Sequence, residues 1–158
     1  MELTAITYDN NKKLNFKVSD DPVRPEIDLE FRLSNGRAVY ALTEGGEYKA
    51  AICIAYCNDV PTTVKELDKL SQAASKDGTH SSIAVAYTVW SKKSRAGRKI
   101  IMDLIEIIKK DDTIRRVVTL SPKTAMANKF HLNNGAFVLQ LNTETDNYEY
   151  PIYQQRTT

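Results

Sequence analysis

The chain has no apolar run near the roughly 18 residues that a membrane-spanning helix needs, and Met1-Glu2-Leu3-Thr4 opens it without the basic and apolar regions of a secretory signal. No membrane partner and a cytoplasmic location are therefore expected. Histidine is scarce: His80 and His131 are too few to build a zinc site alone, and no Cys/His spacing suggests one, so no metal is expected. The two cysteines, Cys53 and Cys57, share one apolar run. Four residues apart on a strand they lie about 13 Å from each other, too far to bridge, and read as buried thiols. Charge of one sign is lacking as well. A net charge of +2 with no long basic run gives no footprint for nucleic acid, though a local basic pocket for a phosphorylated ligand stays open. Neither an internal repeat nor a low-complexity linker is present. Residues 1–158 read as one domain, large enough to bury a core, with 1–20 as an irregular lead-in.

Strands are suggested at Leu3–Tyr8 and Leu14–Val18. Asp20-Asp21-Pro22 through Pro25 then punctuates the chain, and Ile27 to Leu33 alternates apolar with charged residues, which predicts a strand by period. Arg37–Thr43 and Tyr48–Cys57 form a hairpin around Gly45-Gly46. Thr63 and Glu66 have capping-box spacing ahead of a helix carrying Val64, Leu67 and Leu70. Ser82–Trp90 reads as a buried strand, and Ser91 to Arg98 as a small basic loop. A helix from about Arg98 to Lys110 presents Ile100, Ile101, Leu104, Ile105 and Ile108 on one face. Arg116–Leu120 is a short strand. Ser121-Pro122 opens another helix, with serine as its cap, and Gly135 ends it. Strands at about Ala136–Leu141 and Tyr148–Tyr153 close the chain, and the last can pair as an exposed edge with a second copy, a homodimer contact. The order is that of an α/β fold.

A strand that runs through a glycine-bearing loop into a helix offers backbone N–H groups and a positive dipole end to an anion. Gly97 lets the backbone come close, and Lys92, Lys93, Arg95, Arg98 and Lys99 add charge. A pyrophosphate is the natural guest, although a solvated basic loop has the same composition.

Val89–Ile105 resembles the strand–loop–helix of the GNAT acyltransferases, whose loop reads Arg/Gln-x-x-Gly-x-Gly/Ala. Lys92 stands at the first position, Arg95 where the inner glycine is usual, and Gly97 at the last. The resemblance implies a GNAT-like mixed central sheet flanked by helices, with Val89, Trp90, Lys92, Arg95, Ala96, Gly97 and Arg98 holding coenzyme A. Ala127, Phe130, Gly135 and Phe137 also match the family, with His131 in place of the tyrosine that protonates the departing thiolate; a histidine suits that work near neutral pH.

Between Pro22 and Tyr150 the chain further resembles the GNAT-fold catalytic domain of malonyl-CoA decarboxylases. Five segments match in order: Asp21-Pro22-Val23-Arg24, Ala86 to Ser91, Val118-Thr119-Leu120-Ser121-Pro122, Phe130 to Ala136, and Asn147-Tyr148-Glu149-Tyr150. That family's catalytic serine and histidine fall on Ser121 and His131, with Tyr148 or Tyr150 assisting. Lys99 stands where the family has an acidic residue, and the family's long N-terminal helical part and one insertion are missing.

Three functions follow. The broad family implies acyl transfer from a CoA thioester such as acetyl-CoA to a small amine or a protein, but Ser82–Trp90 supplies no acid to activate the amine, so His80 or a terminal carboxylate would have to act, or the amine must arrive neutral. The nearer resemblance implies decarboxylation of malonyl-CoA by Ser121 and His131. Short chains of this style also resemble phage-encoded proteins, which implies a host-cytoplasmic or virion-associated role without catalysis.

Overall fold

The computed structural model describes residues 1–76 and 81–152; His80, the chain terminus and the end of the strand expected at Tyr153 lie outside them. The hairpin is present as β2 (Ala38–Glu44) and β3 (Glu47–Cys57). Gly45 and Gly46 turn it at φ +63° and +80°, the left-handed pair that a two-residue hairpin loop requires. β1 (Glu2–Ala5) lies antiparallel on β2, so the expected irregular lead-in begins as an edge strand. No strand forms at Leu14–Val18. The chain turns there, Phe16 packs its ring against Tyr48 and Trp90, and Val18–Asp20 make one 3-10 turn.

The alternating stretch Ile27 to Leu33 is also not a strand. Asp28 accepts a hydrogen bond from the Phe31 N–H at 2.8 Å and caps α1 (Leu29–Leu33). The buried side chain of this helix is Arg32, while Leu29, Phe31 and Leu33 are half-buried, so the period-two pattern does not mark a sheet face.

β4 (Ile83–Ser91) runs antiparallel to β3, and α3 (Ala96–Ile108) carries the chain over to β5 (Arg116–Thr119), parallel to β4. Its Ile100, Ile101, Leu104, Ile105 and Ile108 are buried against one sheet face, each contributing about 1.5–3 kcal/mol. On the other face, α2 (Val64–Lys76) packs Leu67 against Val39, Cys53, Val85 and their neighbours. Thr63 Oγ1 accepts from the Glu66 N–H at 3.0 Å, and Glu66 accepts in return from the Thr62 N–H. Cys53 and Cys57 are free and buried.

Beyond β5 two expectations fail. Ser121 and Pro122 do not open a helix. They form β6, a two-residue strand paired with β8 (Thr145–Tyr150). The following helix, α4 (Ala125–Asn133), takes its cap from Thr124, whose Oγ1 accepts from the Ala127 N–H at 3.1 Å. The Tyr148 strand is no open edge either: β8 lies between β5 and β7 (Phe137–Leu141), with Tyr148 and Tyr150 buried. The exposed strand is β7, with Phe137, Val138 and Leu141 toward solvent. Among the described residues the mixed sheet has eight strands with helices on both faces, and no helix there is long and apolar enough to cross a membrane.

Candidate active site

β4 and β5 are paired only from Ile83 to Ala86, and the Leu120 N–H to Ala86 carbonyl bond at 2.9 Å is the last link. The strands then part, because β6 follows β8 instead of β4. The β5-facing edge of Tyr87–Ser91 is thus left without a strand partner, and a largely apolar cleft of about 530 Å³ opens beside it. Its walls are Tyr87 to Lys92 of β4, Gly97 of α3, Leu120 to Pro122, and Met126, Ala127, Phe130 and His131 of α4; Asp20, Pro22 and Val23 add a side.

The wall from the N-terminal segment is held by a buried ion pair. Asp21 accepts from the Val23 and Arg24 N–H groups, from Arg32 Nη1 at 2.9 Å and from Thr88 Oγ1 at 2.8 Å. Arg32 spends its other hydrogens on the Arg24 and Ile27 carbonyls, and Arg24 donates to the Tyr87 carbonyl. A fully hydrogen-bonded buried pair of this kind fixes geometry more than it adds stability. Here it lays Pro22-Val23 across β4.

Arg95 takes the left-handed conformation, φ +68°, at the start of α3. That conformation is one that glycine adopts without strain, and no side chain caps the helix behind it. Gly97 is dictated by packing: a Cβ there would stand 3.1 Å from Phe130 Cε1. The basic residues are mostly occupied. Lys92 pairs with Asp20 at 3.1 Å over the Tyr48 ring, Lys93 with Glu44, and Lys99 with Asp103. Arg98 donates to the Asn133 carbonyl and to Asn134, and Arg95 has no ion-pair partner among the described residues. Lys92, Trp90, Val89 and Gly97 line the cleft, whereas Arg95, Ala96 and Arg98 lie beyond its wall.

Ser121 and His131 both line the cleft and are both buried. Ser121 Oγ lies 2.8 Å from Thr119 Oγ1, which accepts from the Tyr148 N–H at 3.0 Å. Either hydroxyl can be the donor in that contact, so the Ser121 proton can turn to Thr119 or to a ligand in the cleft. His131 stacks on Tyr148, and its Nδ1 is 2.7 Å from the Tyr150 hydroxyl. Burial pushes its pKa down to about 4. At neutral pH it is therefore uncharged. Tyr148 does not line the cleft; its hydroxyl accepts from Asn128, and Tyr150 is the tyrosine bonded to the histidine. Asp20 is the one carboxylate among the described lining residues. A hydrogen bond from Tyr48, and then Lys92, hold it below the usual carboxylate range.

Ser121, His131 and Gly97, singled out in the sequence, thus line one cleft, whereas the contacts of Thr119, Asp20 and Asn134 were not foreseen. The first was within reach, in the same five-residue motif as Ser121. The others are brought in by folds of the chain that no local pattern marks.

No family model matches the chain, and neither does any curated protein sequence. Solved structures do. Malonyl-CoA decarboxylase from Rhodopseudomonas palustris is 21% identical with a TM-score of 0.59, over 84% of this chain and 36% of that one. The chain therefore spans about a third of the decarboxylases of this kind that it matches. GphF, a GNAT-like decarboxylase in complex with isobutyryl-CoA, gives a TM-score of 0.73 at 10% identity, over 95% of this chain and 98% of its own. A GNAT family acetyltransferase from Elizabethkingia anophelis with acetyl-CoA bound gives 0.61 at 8% identity, over 96% and 97%.

Proposed function

The chain has the GNAT fold, and we propose that it decarboxylates a malonyl-type CoA thioester. The observation that carries this reading is that Ser121 and His131 meet a ligand in one apolar cleft as neutral hydrogen-bonding groups. The open edge of β4 suits the extended, amide-bearing arm of coenzyme A, which can add to it as a strand does. The uncapped start of α3, with Arg95 and Arg98 near it, suits the pyrophosphate.

In the reaction the bond between the carboxylate carbon and the α-carbon breaks. CO₂ leaves, the electron pair passes onto the thioester oxygen, and the α-carbon then takes a proton from water. Ser121, whose hydroxyl lies 2.8 Å from that of Thr119, donates to the oxygen on which charge grows. The carboxylate finds no unpaired cation among the described lining residues, since Lys92 is held by Asp20. Its charge is thus better accommodated after migration than before.

Acyl transfer to an amine, the broader expectation, is less well served. It calls for a base, and Asp20, paired and held at a low pKa, accepts a proton poorly.

The test is to incubate purified protein with malonyl-CoA and follow acetyl-CoA and CO₂ by mass spectrometry. Conversion is expected, falling at least about a hundredfold in Ser121→Ala, the loss typical of one oxyanion donor. Untouched malonyl-CoA alongside acetyl transfer from acetyl-CoA to an amine panel would sink the proposal. Failure to bind any of these thioesters would point to a non-catalytic protein instead.

A further inference from the structure

The helix that forms one wall of the cleft, α4, is gripped at few points. Of its nine residues His131 alone is buried; Ala127, Asn128 and Phe130 are half-buried, and the rest face solvent. A short helix with so little core face is held by individual contacts. Toward β8, Asn128 donates to the Tyr148 hydroxyl at 3.0 Å, and His131 stacks on Tyr148 with its Nδ1 2.7 Å from the Tyr150 hydroxyl. Contacts on one side do not stop a helix from rolling or lifting.

The other side rests on the first turn of α3. Phe130 lies over Gly97, where a Cβ would stand 3.1 Å from Cε1 and 3.4 Å from Cζ. At the C-terminal end of α4, the carbonyls of Phe130, His131 and Leu132 accept from the backbone N–H groups of Asn134, Ala136 and Gly135. The next carbonyl, that of Asn133, accepts instead from Arg98 Nη1 at 3.3 Å, and the same nitrogen lies 3.2 Å from Asn134 Oδ1. A side chain thus completes the end of the helix, and its positive charge stands at the negative end of the helix dipole.

We propose that Gly97 and Arg98 form the seat of α4, and that Arg98 is a positioning residue that sets where His131 stands in the cleft. Gly97 leaves the notch for Phe130, the neighbour of His131, and Arg98 ties down the helix two residues beyond it. The same turn of α3 opens the helix whose uncapped end suits a pyrophosphate. One turn thereby serves the phosphate end of the ligand and the histidine at the reacting end. That last step rests on the decarboxylase reading; the seat itself does not.

The experiment is amide hydrogen exchange of the unliganded protein, followed residue by residue by NMR. In Arg98→Met, which keeps the stem and loses the donors, amides in the last turn of α4 should exchange about threefold to tenfold faster, while those of residues 101–108 in α3 keep their rates and show that the fold is intact. Arg98→Lys, with a cation again at the helix end, should recover most of the protection. Gly97→Ala should move the two helices in opposite directions. Alanine is the better helix former, so residues 101–104 should exchange more slowly, while a displaced Phe130 loosens α4. Unchanged α4 rates in Arg98→Met would overturn the proposal, and unchanged rates in Gly97→Ala would remove Gly97 from the seat. If wild type leaves malonyl-CoA untouched but the rates move as stated, the decarboxylase reading fails alone; if it turns malonyl-CoA over and the rates stay put, the seat fails alone. Where there is turnover, Arg98→Met should lower kcat at saturation about threefold to tenfold, since a small displacement at the reacting centre is costly, and Arg98→Lys should restore most of it. A rise in KM with kcat intact would leave Arg98 as a phosphate ligand and overturn its positioning role.

Discussion

Burial of His131 sets a testable dependence of stability on pH. The imidazole titrates near 6.5 in an unfolded chain, and burial lowers this to about 4 in the folded one. Folding is therefore unpenalised by His131 above pH 6.5. As the pH falls from 6.5 toward 4, the unfolded chain takes up a proton that the folded chain resists, and stability is lost through that window. At about 1.4 kcal/mol for each tenfold in proton affinity, the loss reaches roughly 2.5 kcal/mol by pH 4.5 and about 3 kcal/mol once both states are protonated. Carboxylates add their own acid dependence, so the comparison is between wild type and His131→Gln. At pH 7 the variant should be less stable by about 1–3 kcal/mol, having lost the stack on Tyr148 and the bond to Tyr150. Urea unfolding at pH 7 and 4.5 should show that deficit shrinking by about 2.5 kcal/mol, because glutamine has no proton to refuse. Parallel losses in the two proteins would refute the argument. They would mean that the ring is solvated and titrates normally.

Two further outcomes follow from single residues. Arg95→Gly relieves a left-handed L-residue, worth about 1–2 kcal/mol, and returns part of it as glycine entropy. Thermal unfolding should show about 0.5–1 kcal/mol of net stabilisation while calorimetry shows CoA binding weakened severalfold, more at low salt; a destabilised variant would contradict the strain. Thr119→Val keeps the shape but strands the Tyr148 N–H and takes the hydroxyl partner from Ser121. It should cost about 1–3 kcal/mol of stability and about tenfold in turnover of malonyl-CoA, with Thr119→Ser near wild type. Because Thr119 acts through Ser121, the turnover loss should vanish in a Ser121→Ala background, and an additive loss would rule that out.

How far the sequence could be read depended on the range of the interaction. The hairpin at Gly45-Gly46, the capping box at Thr63 and the apolar face of α3 are local signals, and each formed where it was expected. The alternation from Ile27 to Leu33 misled because period two marks a strand only when one set of residues faces a core. Here the side chain that goes inside is Arg32, drawn to Asp21, eleven residues away, and to Cys53. Ser121-Pro122 misled for a related reason. Serine and proline suit a helix start, but strand pairing with Asp146 and Thr145 takes both residues, and Thr124 is left to cap. Within the site, Ser121 and His131 were legible through resemblance. Their electrostatic state was not, because it depends on burial between α4 and β8.

That state is the more instructive feature. The carboxylates close to the cleft are matched: Asp21 by Arg32, Asp20 by Lys92, and Asp146 by Lys123. What remains facing the cleft at its centre is a serine hydroxyl beside that of Thr119 and an imidazole kept neutral by burial. A free cation there would bind a substrate carboxylate tightly and stabilise the ground state as much as the transition state. In the proposed decarboxylation, a neutral hydroxyl donor in an apolar cleft would respond most to charge that appears late, on the thioester oxygen, and so would favour the transition state over the bound substrate. The pairing of charges around the rim and the neutrality at the centre are thus one design, and both count against a site built to activate an amine.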